Sequence, residues 1–225
     1  MQMIFQDPSS SINPRRKIGE VLSEPFAIHG VKENVSEFIV ELLNQVGLSS
    51  SHANRYPHEM SGGQLQRVGI ARAIALNPSL VVADEPVSAL DVSVQAQVVN
   101  LMIDLKEKLG ISYLFISHDM GVVEYFCDRV AVMYLGKIVE IASSEEIYKR
   151  PCHPYTEALL NAVPGLELGK IKQKLKVLGD TPNPSTLPHG CSFHTRCPIK
   201  EKQCEEMEPT LKEVTSGHYV ACFLK

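Results

Sequence analysis

No run of apolar residues in the 225-residue sequence reaches the roughly eighteen that a bilayer-spanning helix needs. Positive charge is not in excess either. Against 26 Asp+Glu stand 22 Lys+Arg, a net charge of −4, whereas a nucleic-acid footprint calls for a basic domain. The opening residues, Met1-Gln2-Met3-Ile4-Phe5-Gln6-Asp7-Pro8, do not have the charged-then-apolar layout of a secretory signal. No internal repeat is visible. What is present is an ordinary globular composition, 44% hydrophobic and 21% charged. The chain is long enough to bury one good-sized core and a small appendage. The expected location is the cytoplasm, with a membrane-bound partner left open.

The pattern along the chain predicts an α/β protein. Residues 1–16, rich in Ser, Pro and Asn, read as loop. Helices are expected over 17–28 and 35–46, the second with Phe38, Ile39, Leu42, Leu43 and Val46 on one face and Gly47 as its stop. Ser61 and Gln64 form an S-x-x-Q capping box that opens a helix ending near Asn77-Pro78. Leu80-Val81-Val82-Ala83 reads as a fully buried strand closed by Asp84-Glu85-Pro86. A helix capped by Asp91 and ended by Gly110 leads to a second buried strand, Tyr113-Leu114-Phe115-Ile116, which runs into Ser117-His118-Asp119. Strand, helix and strand make a right-handed βαβ unit. Asp84, Glu85 and His118 then share the carboxyl edge of a parallel sheet, where ligands bind in such folds. Two further strands are expected around Gly136. After Pro151 the composition changes, with seven of the 14 prolines between Pro151 and Pro198. A short helix is expected over 155–162 and a domain boundary near Arg150, giving domains 1–150 and 151–225.

Two carboxylates at a strand end are costly unless paired or used. The plain alternative is a strand-end turn capped by Asp84. The functional reading has Asp84 holding Mg²⁺ through water while Glu85 polarises an attacking water. Ser61-Gly62-Gly63-Gln64 favours the second reading, because a helix start with two glycines presents N–H groups and a positive dipole end to phosphate. It is followed at helical spacing by Gln66-Arg67 and Ala71-Arg72-Ala73. A strand-end histidine such as His118 is more often a plain hydrogen-bonded residue, but its setting in Ser117-His118-Asp119 favours function.

In order and spacing these elements closely resemble the ATPase subunits of ABC transporters. Gln6 is similar to the Q-loop glutamine and Met60-Ser61-Gly62-Gly63-Gln64 to the signature motif, with Met where Leu is usual. Val81-Val82-Ala83-Asp84-Glu85 resembles Walker B with its catalytic Glu, Ser88-Ala89-Leu90-Asp91 the D-loop, and His118 the switch histidine. The resemblance implies a P-loop NTPase-type domain with a helical subdomain, working as a pair that sandwiches two ATP molecules head to tail. It further implies Glu85 as activator of water and His118 at the γ-phosphate. Gln6 and Asp84 would serve at Mg²⁺, and Ser61, Gly62, Gly63, Gln64 and Asp91 at nucleotide. No G-x-x-x-x-G-K-[ST] occurs in the 225 residues. The expectation is therefore an ABC ATPase domain lacking its N-terminal Walker A part, and a chain inactive in ATP hydrolysis by itself.

Flanking segments narrow the resemblance. Phe5-Gln6-Asp7-Pro8, Arg55-Tyr56-Pro57-His58-Glu59, His153-Pro154-Tyr155-Thr156 and Cys191-x-Phe193-x-x-Arg196-Cys197-Pro198 look like the oligopeptide/dipeptide/nickel importers over essentially the whole chain. That implies a subunit energising peptide import at the cytoplasmic face of the membrane. The implied partners are a sister ATPase in a heterodimer, transmembrane permease subunits and, indirectly, an extracytoplasmic solute-binding protein. A nickel importer, a non-transport ABC ATPase and a non-catalytic fragment are the alternatives.

Six cysteines are placed unevenly. Cys127 and Cys152 stand apart, while Cys191, Cys197, Cys204 and Cys222 crowd the C-terminal end. In a reducing compartment such a cluster reads as metal-binding. The spacing C-x₅-C-x₆-C-x₁₇-C is not that of a zinc ribbon, and Cys197-Pro198 is similar to ferredoxin-type sites. A [4Fe–4S] cluster is favoured, zinc is the alternative, and four reduced structural cysteines remain open. Phe193, Leu211, Tyr219 and Val220 are expected to pack around the site.

Overall fold

Short strands form where a partner supplies the other half of their hydrogen bonds, and the first sixteen residues illustrate this. Gln2–Ile4 is a strand (β1) rather than the expected loop. Three residues carry too little pattern to be read in isolation, and pairing stabilises them. Asp7 then accepts a hydrogen bond from Ser9 N at 2.8 Å and opens a single helical turn, Pro8–Ser11 (α1). The computed structural model describes residues 1–32, 34–163 and 177–225. Their contacts divide them into two units, Met1–Asp119 and Met120–Lys225.

In the first unit, Ile18–Ile28 (α2) buries Ile18, Val21, Leu22 and Phe26. Val35–Gln45 (α3) buries Leu42 and Leu43. Phe38, on its expected apolar face, is partly exposed and stacks on Phe26 at 5.4 Å. Gly62–Ile74 (α4) starts with both arms of the expected capping box made. Leu80–Asp84 (β2), Val92–Leu109 (α5) and Ser112–Ile116 (β3) form the strand–helix–strand unit, with β3 parallel to β2. Gly110 takes the left-handed φ of 63° that ends α5. β1 pairs with the other edge of β2, so the sheet order is β1-β2-β3.

The expectation of fully buried strands needs correction. Register places Met3, Val82 and Leu114 on one face and Ile4, Ala83 and Phe115 on the other. Ile4, Val81 and Ala83 are buried, whereas Leu114 and Ile116 are 55% and 45% exposed. An apolar run specifies that a strand has no polar face. It does not specify that both faces are covered.

The second unit begins with Met120–Phe126 (α6). Arg129–Tyr134 (β4) and Lys137–Ser143 (β5) form an antiparallel hairpin. Its turn residues, Leu135 and Gly136, have φ of 46° and 80°, the left-handed pair that matches strand twist in tight hairpins. Then come Ser144–Lys149 (α7), Pro154–Asn161 (α8), Lys202–Glu206 (α9), Lys212–Thr215 (β6) and His218–Val220 (β7). The sheet order is β4-β5-β7-β6. Because Glu140 pairs with Val220, the hairpin belongs with the C-terminal residues, and Val130, Val132, Tyr134, Val139, Leu160 and Phe193 share one core. The division thus falls at Asp119/Met120 and does not coincide with the composition change at Arg150. Proline content marks a change of local chemistry, while strand pairing over some eighty residues leaves no trace in composition. Residues 164–176 of the expected C-terminal module lie outside the described residues.

Candidate functional site

β2 ends at Asp84, and the chain turns at once. Glu85 has φ of 42°, a left-handed value unusual for a residue with a side chain. The turn is held by Glu85 N donating to Ile116 O at 2.9 Å, and by Ser88 N and Oγ both donating to Glu85 O at 3.3 and 3.1 Å. Backbone strain of this kind persists only where surrounding bonds over-determine it. Its effect is to hold the Glu85 carboxylate between two side chains. Gln6 Nε2 donates to Oε2 at 2.8 Å, and His118 Nδ1 lies 3.1 Å from Oε1. An ionised carboxylate only accepts, so Nδ1 is the donor. The imidazole is 72% exposed at its side chain and the carboxylate 25%. The structure therefore brings Gln6, Glu85 and His118 to one point beside Asp84, and places Glu85 and His118 beyond directly paired strands.

The other expected element sits at the start of α4. Ser61 Oγ accepts from Gln64 N at 3.4 Å, and Gln64 Oε1 accepts from Ser61 N at 3.0 Å. Ser61 and Gly62 are exposed. Gly63 is needed for a different reason, since a Cβ there would lie 2.5 Å from Val94 Cγ1 on α5. Val94 is β-branched on a helix and cannot swing clear. Gly63→Ala is expected to cost about 1–3 kcal/mol by overpacking, with much of the loss recovered in Gly63→Ala/Val94→Ala. Denaturant unfolding of the two variants checks it, and equal losses in both would show that this contact does not fix the glycine. Asp91 occupies the N-cap position of α5, but its side chain makes no capping bond. Its carbonyl accepts the first bond of the helix, from Gln95 N at 2.8 Å.

One connection was not legible in the sequence. Arg72, on α4, donates from Nη1 to Ser11 O at 2.8 Å and from Nη2 to Ser11 Oγ at 3.3 Å, and its guanidinium lies 6.0 Å from the Phe5 ring. Burial lowers its pKa. The helix that begins at Ser61 is thereby tied to the segment flanking Gln6. Ala71-Arg72-Ala73 was visible as helix, but nothing in the spacing names the partner of its arginine.

In the second unit, Cys191, Cys197, Cys204 and Cys222 line a single cavity of about 20 Å³ together with His153, His194, Phe193 and Phe223. Cys127 and Cys152 are not among its lining residues. Burial pushes the thiols of Cys191, Cys197 and Cys222 up, and neighbouring sulfurs push the same way. Phe193 and Val220 are buried as expected. Leu211 is 39% exposed and Tyr219 only half-buried, so the expected core around the cysteines is corrected in those two positions.

Glu140 was missed by the sequence reading. Completely buried on β5, it accepts from Cys152 N at 2.7 Å, His153 N at 2.9 Å and His218 Nε2 at 2.7 Å. Ligand atoms of Glu140, Cys152 and His218 lie within 4.8 Å of one another, a donor set of types zinc accepts. The carboxylate is already satisfied by three N–H donors, which accounts for its burial without a metal. This hub anchors the start of α8, where His153 Nδ1 accepts from Tyr155 N at 3.1 Å. Burial pushes the His153 imidazole down to about 4, so it is neutral.

The family model described as "ABC transporter" matches residues 1–88. A second model, "Oligopeptide/dipeptide transporter, C-terminal region", matches residues 139–204. The "Oligopeptide transport ATP-binding protein AppF" of Bacillus subtilis is 53% identical over 228 residues, covering 100% of this chain and 69% of its own length. A "Putative peptide import ATP-binding protein" of Brucella ovis is 54% identical over 224 residues, covering 99% and 71%. The "Dipeptide transport ATP-binding protein DppF" of Haemophilus influenzae is 49% identical over 226 residues, covering 99% and 69%. The chain belongs to the family of ATP-binding subunits of oligopeptide/dipeptide ABC transporters. With that membership come ATP as substrate, Mg²⁺ as its metal and transmembrane permease subunits as partners. No described helix is long and apolar enough to cross a membrane.

Proposed function

We propose that this chain energises the import of oligopeptides or dipeptides by ATP hydrolysis, seated against permease subunits at the cytoplasmic face of the membrane and paired with a sister ATPase. The observation that carries this reading is the Gln6–Glu85–His118 arrangement, in a chain whose residues 139–204 match the peptide-transporter C-terminal region. That match favours peptides over nickel. Glu85 accepts a proton from the attacking water. His118, donating to Glu85 through Nδ1, orients that carboxylate and stands exposed beside the reacting phosphate. Gln6 releases Glu85 when it turns to its role at Mg²⁺. Asp84 and Gln6 offer the hard oxygen donors that Mg²⁺ requires, and the ion supplies neutralisation of phosphate charge. Ser61, Gly62, Gly63 and Gln64 present the start of α4 to the nucleotide held mainly by the sister subunit, with Asp91 beside that interface. Reconstitution of the ATPase with its partners in proteoliposomes tests the reading by uptake of labelled peptides and of Ni²⁺. ATP-dependent peptide uptake is the expected result, and nickel uptake without peptide uptake would overturn it.

The four cysteines add a second element, for which we propose a [4Fe–4S] cluster. Their sulfurs line one cavity in a region whose remaining walls are apolar or aromatic. No three of the four lie mutually within 4.8 Å, whereas a tetrahedral zinc site with Zn–S bonds near 2.3 Å draws sulfurs to about 3.8 Å. Four thiolates are enough to give each iron of a cubane one protein ligand. At about 20 Å³ the cavity has to widen to admit four irons and four sulfides. Buried thiols with raised pKa values ionise only when a metal replaces their protons.

A further inference from the structure

His153 has a structural duty and a spare donor. Its Nδ1 accepts a hydrogen bond from Tyr155 N at 3.1 Å. A backbone N–H can only donate, so Nδ1 carries the lone pair and the ring proton resides on Nε2. The side chain is among the largest fully buried ones in the protein, and it lines the cavity shared by the four cysteines. Its hydrogen bonds among the described residues are made by its backbone N–H and by Nδ1, which leaves the Nε2–H of a cavity-lining ring available to donate. The other groups around this cavity offer little in exchange, since Pro154, Phe193, Pro209, Phe223 and Leu224 supply apolar walls.

Its placement is fixed from several sides. Glu140 holds the His153 backbone N–H at 2.9 Å, and the Phe193 ring stands 5.7 Å from the imidazole. The neighbouring histidine of the same cavity is arranged the opposite way. His194 presents Nδ1 to the Cys191 carbonyl at 2.8 Å, so its Nδ1 proton is spent on the backbone.

We propose that His153 donates its Nε2–H to a sulfur of the cluster held by Cys191, Cys197, Cys204 and Cys222, and so raises the reduction potential of that cluster. This rests on the cluster reading given above. Hydrogen bonds to cluster sulfurs favour the reduced, more negative state and are among the levers that set the potential. His153 is a positioning and tuning residue, outside the set of ligands.

His153→Ser retains a side chain that caps α8 and removes the donor from the cavity; His153→Gln retains a long donor. Both are made in the complete protein, purified anaerobically, and assayed first for iron and acid-labile sulfide. Cluster stoichiometry in the wild type is required. Zinc alone, or no metal, would overturn the cluster reading and this proposal with it. In loaded protein, redox titration should show His153→Ser shifted about tenfold toward the oxidised form at a fixed potential, about 59 mV lower for one electron, with His153→Gln nearer the wild type. An unchanged potential in a fully loaded His153→Ser protein refutes the hydrogen bond while leaving the cluster standing. Should His153→Ser fail to load, pulsed EPR on reduced protein labelled with ¹⁵N-histidine decides the matter without it. A histidine nitrogen coupling that survives His194→Ala supports His153 as the donor, and a coupling that is absent, or disappears with His194, overturns it.

Discussion

Glu85→Gln in the ATPase assembled with its partner subunits is expected to lower ATP turnover by about 10²–10⁴-fold, the usual contribution of a general base. Nucleotide binding should survive, because the amide removes the charge that takes the water proton and leaves the phosphate contacts in place. The substitution is nearly isosteric, and the turn at φ 42° is held by backbone groups and Ser88, so folding should be unaffected. The new amide can accept from His118 through its oxygen and donate to Gln6 once the Gln6 amide turns over to present its own oxygen, which keeps the local geometry. A nucleotide-loaded, closed pair should therefore accumulate. His118→Ala should also cut turnover steeply, since Glu85 then loses the donor facing Oε1. Steady-state phosphate release together with equilibrium binding of labelled ATP separates the two effects. Near-normal turnover in both variants would remove Glu85 and His118 from the proposed chemistry.

Loss of stability should be largest at Glu140. Truncating it to Ala strands the N–H groups of Cys152 and His153 and the His218 ring in a dry interior. Breaking a buried, fully engaged charge costs about 3–5 kcal/mol. In a chain of this size that corresponds to a fall in Tm of roughly 6–20 °C. Cys152→Ser should be close to silent, because Glu140 binds the backbone of Cys152 and not its thiol. That contrast separates a hydrogen-bonded hub from a metal site, for which both substitutions would be comparably damaging. Thermal unfolding of the two variants settles it. A Glu140→Ala protein that melts with the wild type would mean that water replaces the carboxylate without loss.

The residues of the proposed nucleotide site were legible because their signals are local. Ser61 and Gln64 lie three apart, so the capping box that opens α4 is written in four consecutive letters. Asp84-Glu85 follows an apolar run directly, and His118 follows the next one. Once the two strands are parallel neighbours, the meeting of Glu85 with His118 follows from topology. Gln6 was identified by resemblance alone. That its amide bonds to Glu85 depends on β1 pairing with β2, and a strand of three residues carries no readable period. The four cysteines were likewise countable and expected at one site, while the cavity they line was visible only in the fold.

The sequence by itself determined the order of motifs, the helices with caps and stops at Ser61, Gly47 and Gly110, and the family to which the chain belongs. These depend on neighbours within a turn or two, where side-chain type and spacing fix the outcome. Tertiary structure alone decided that Leu114 and Ile116 lie on an uncovered face, that the hairpin of β4 and β5 joins the C-terminal sheet, and that Glu140 is a buried hub. It alone decided that His153 keeps its proton on the nitrogen left over for the cysteine cavity. Each of these is set by contacts between residues tens of positions apart. Burial and hydrogen-bond partnership are properties of the folded surroundings, and no local pattern of letters encodes which distant backbone or carboxylate will close around a given side chain.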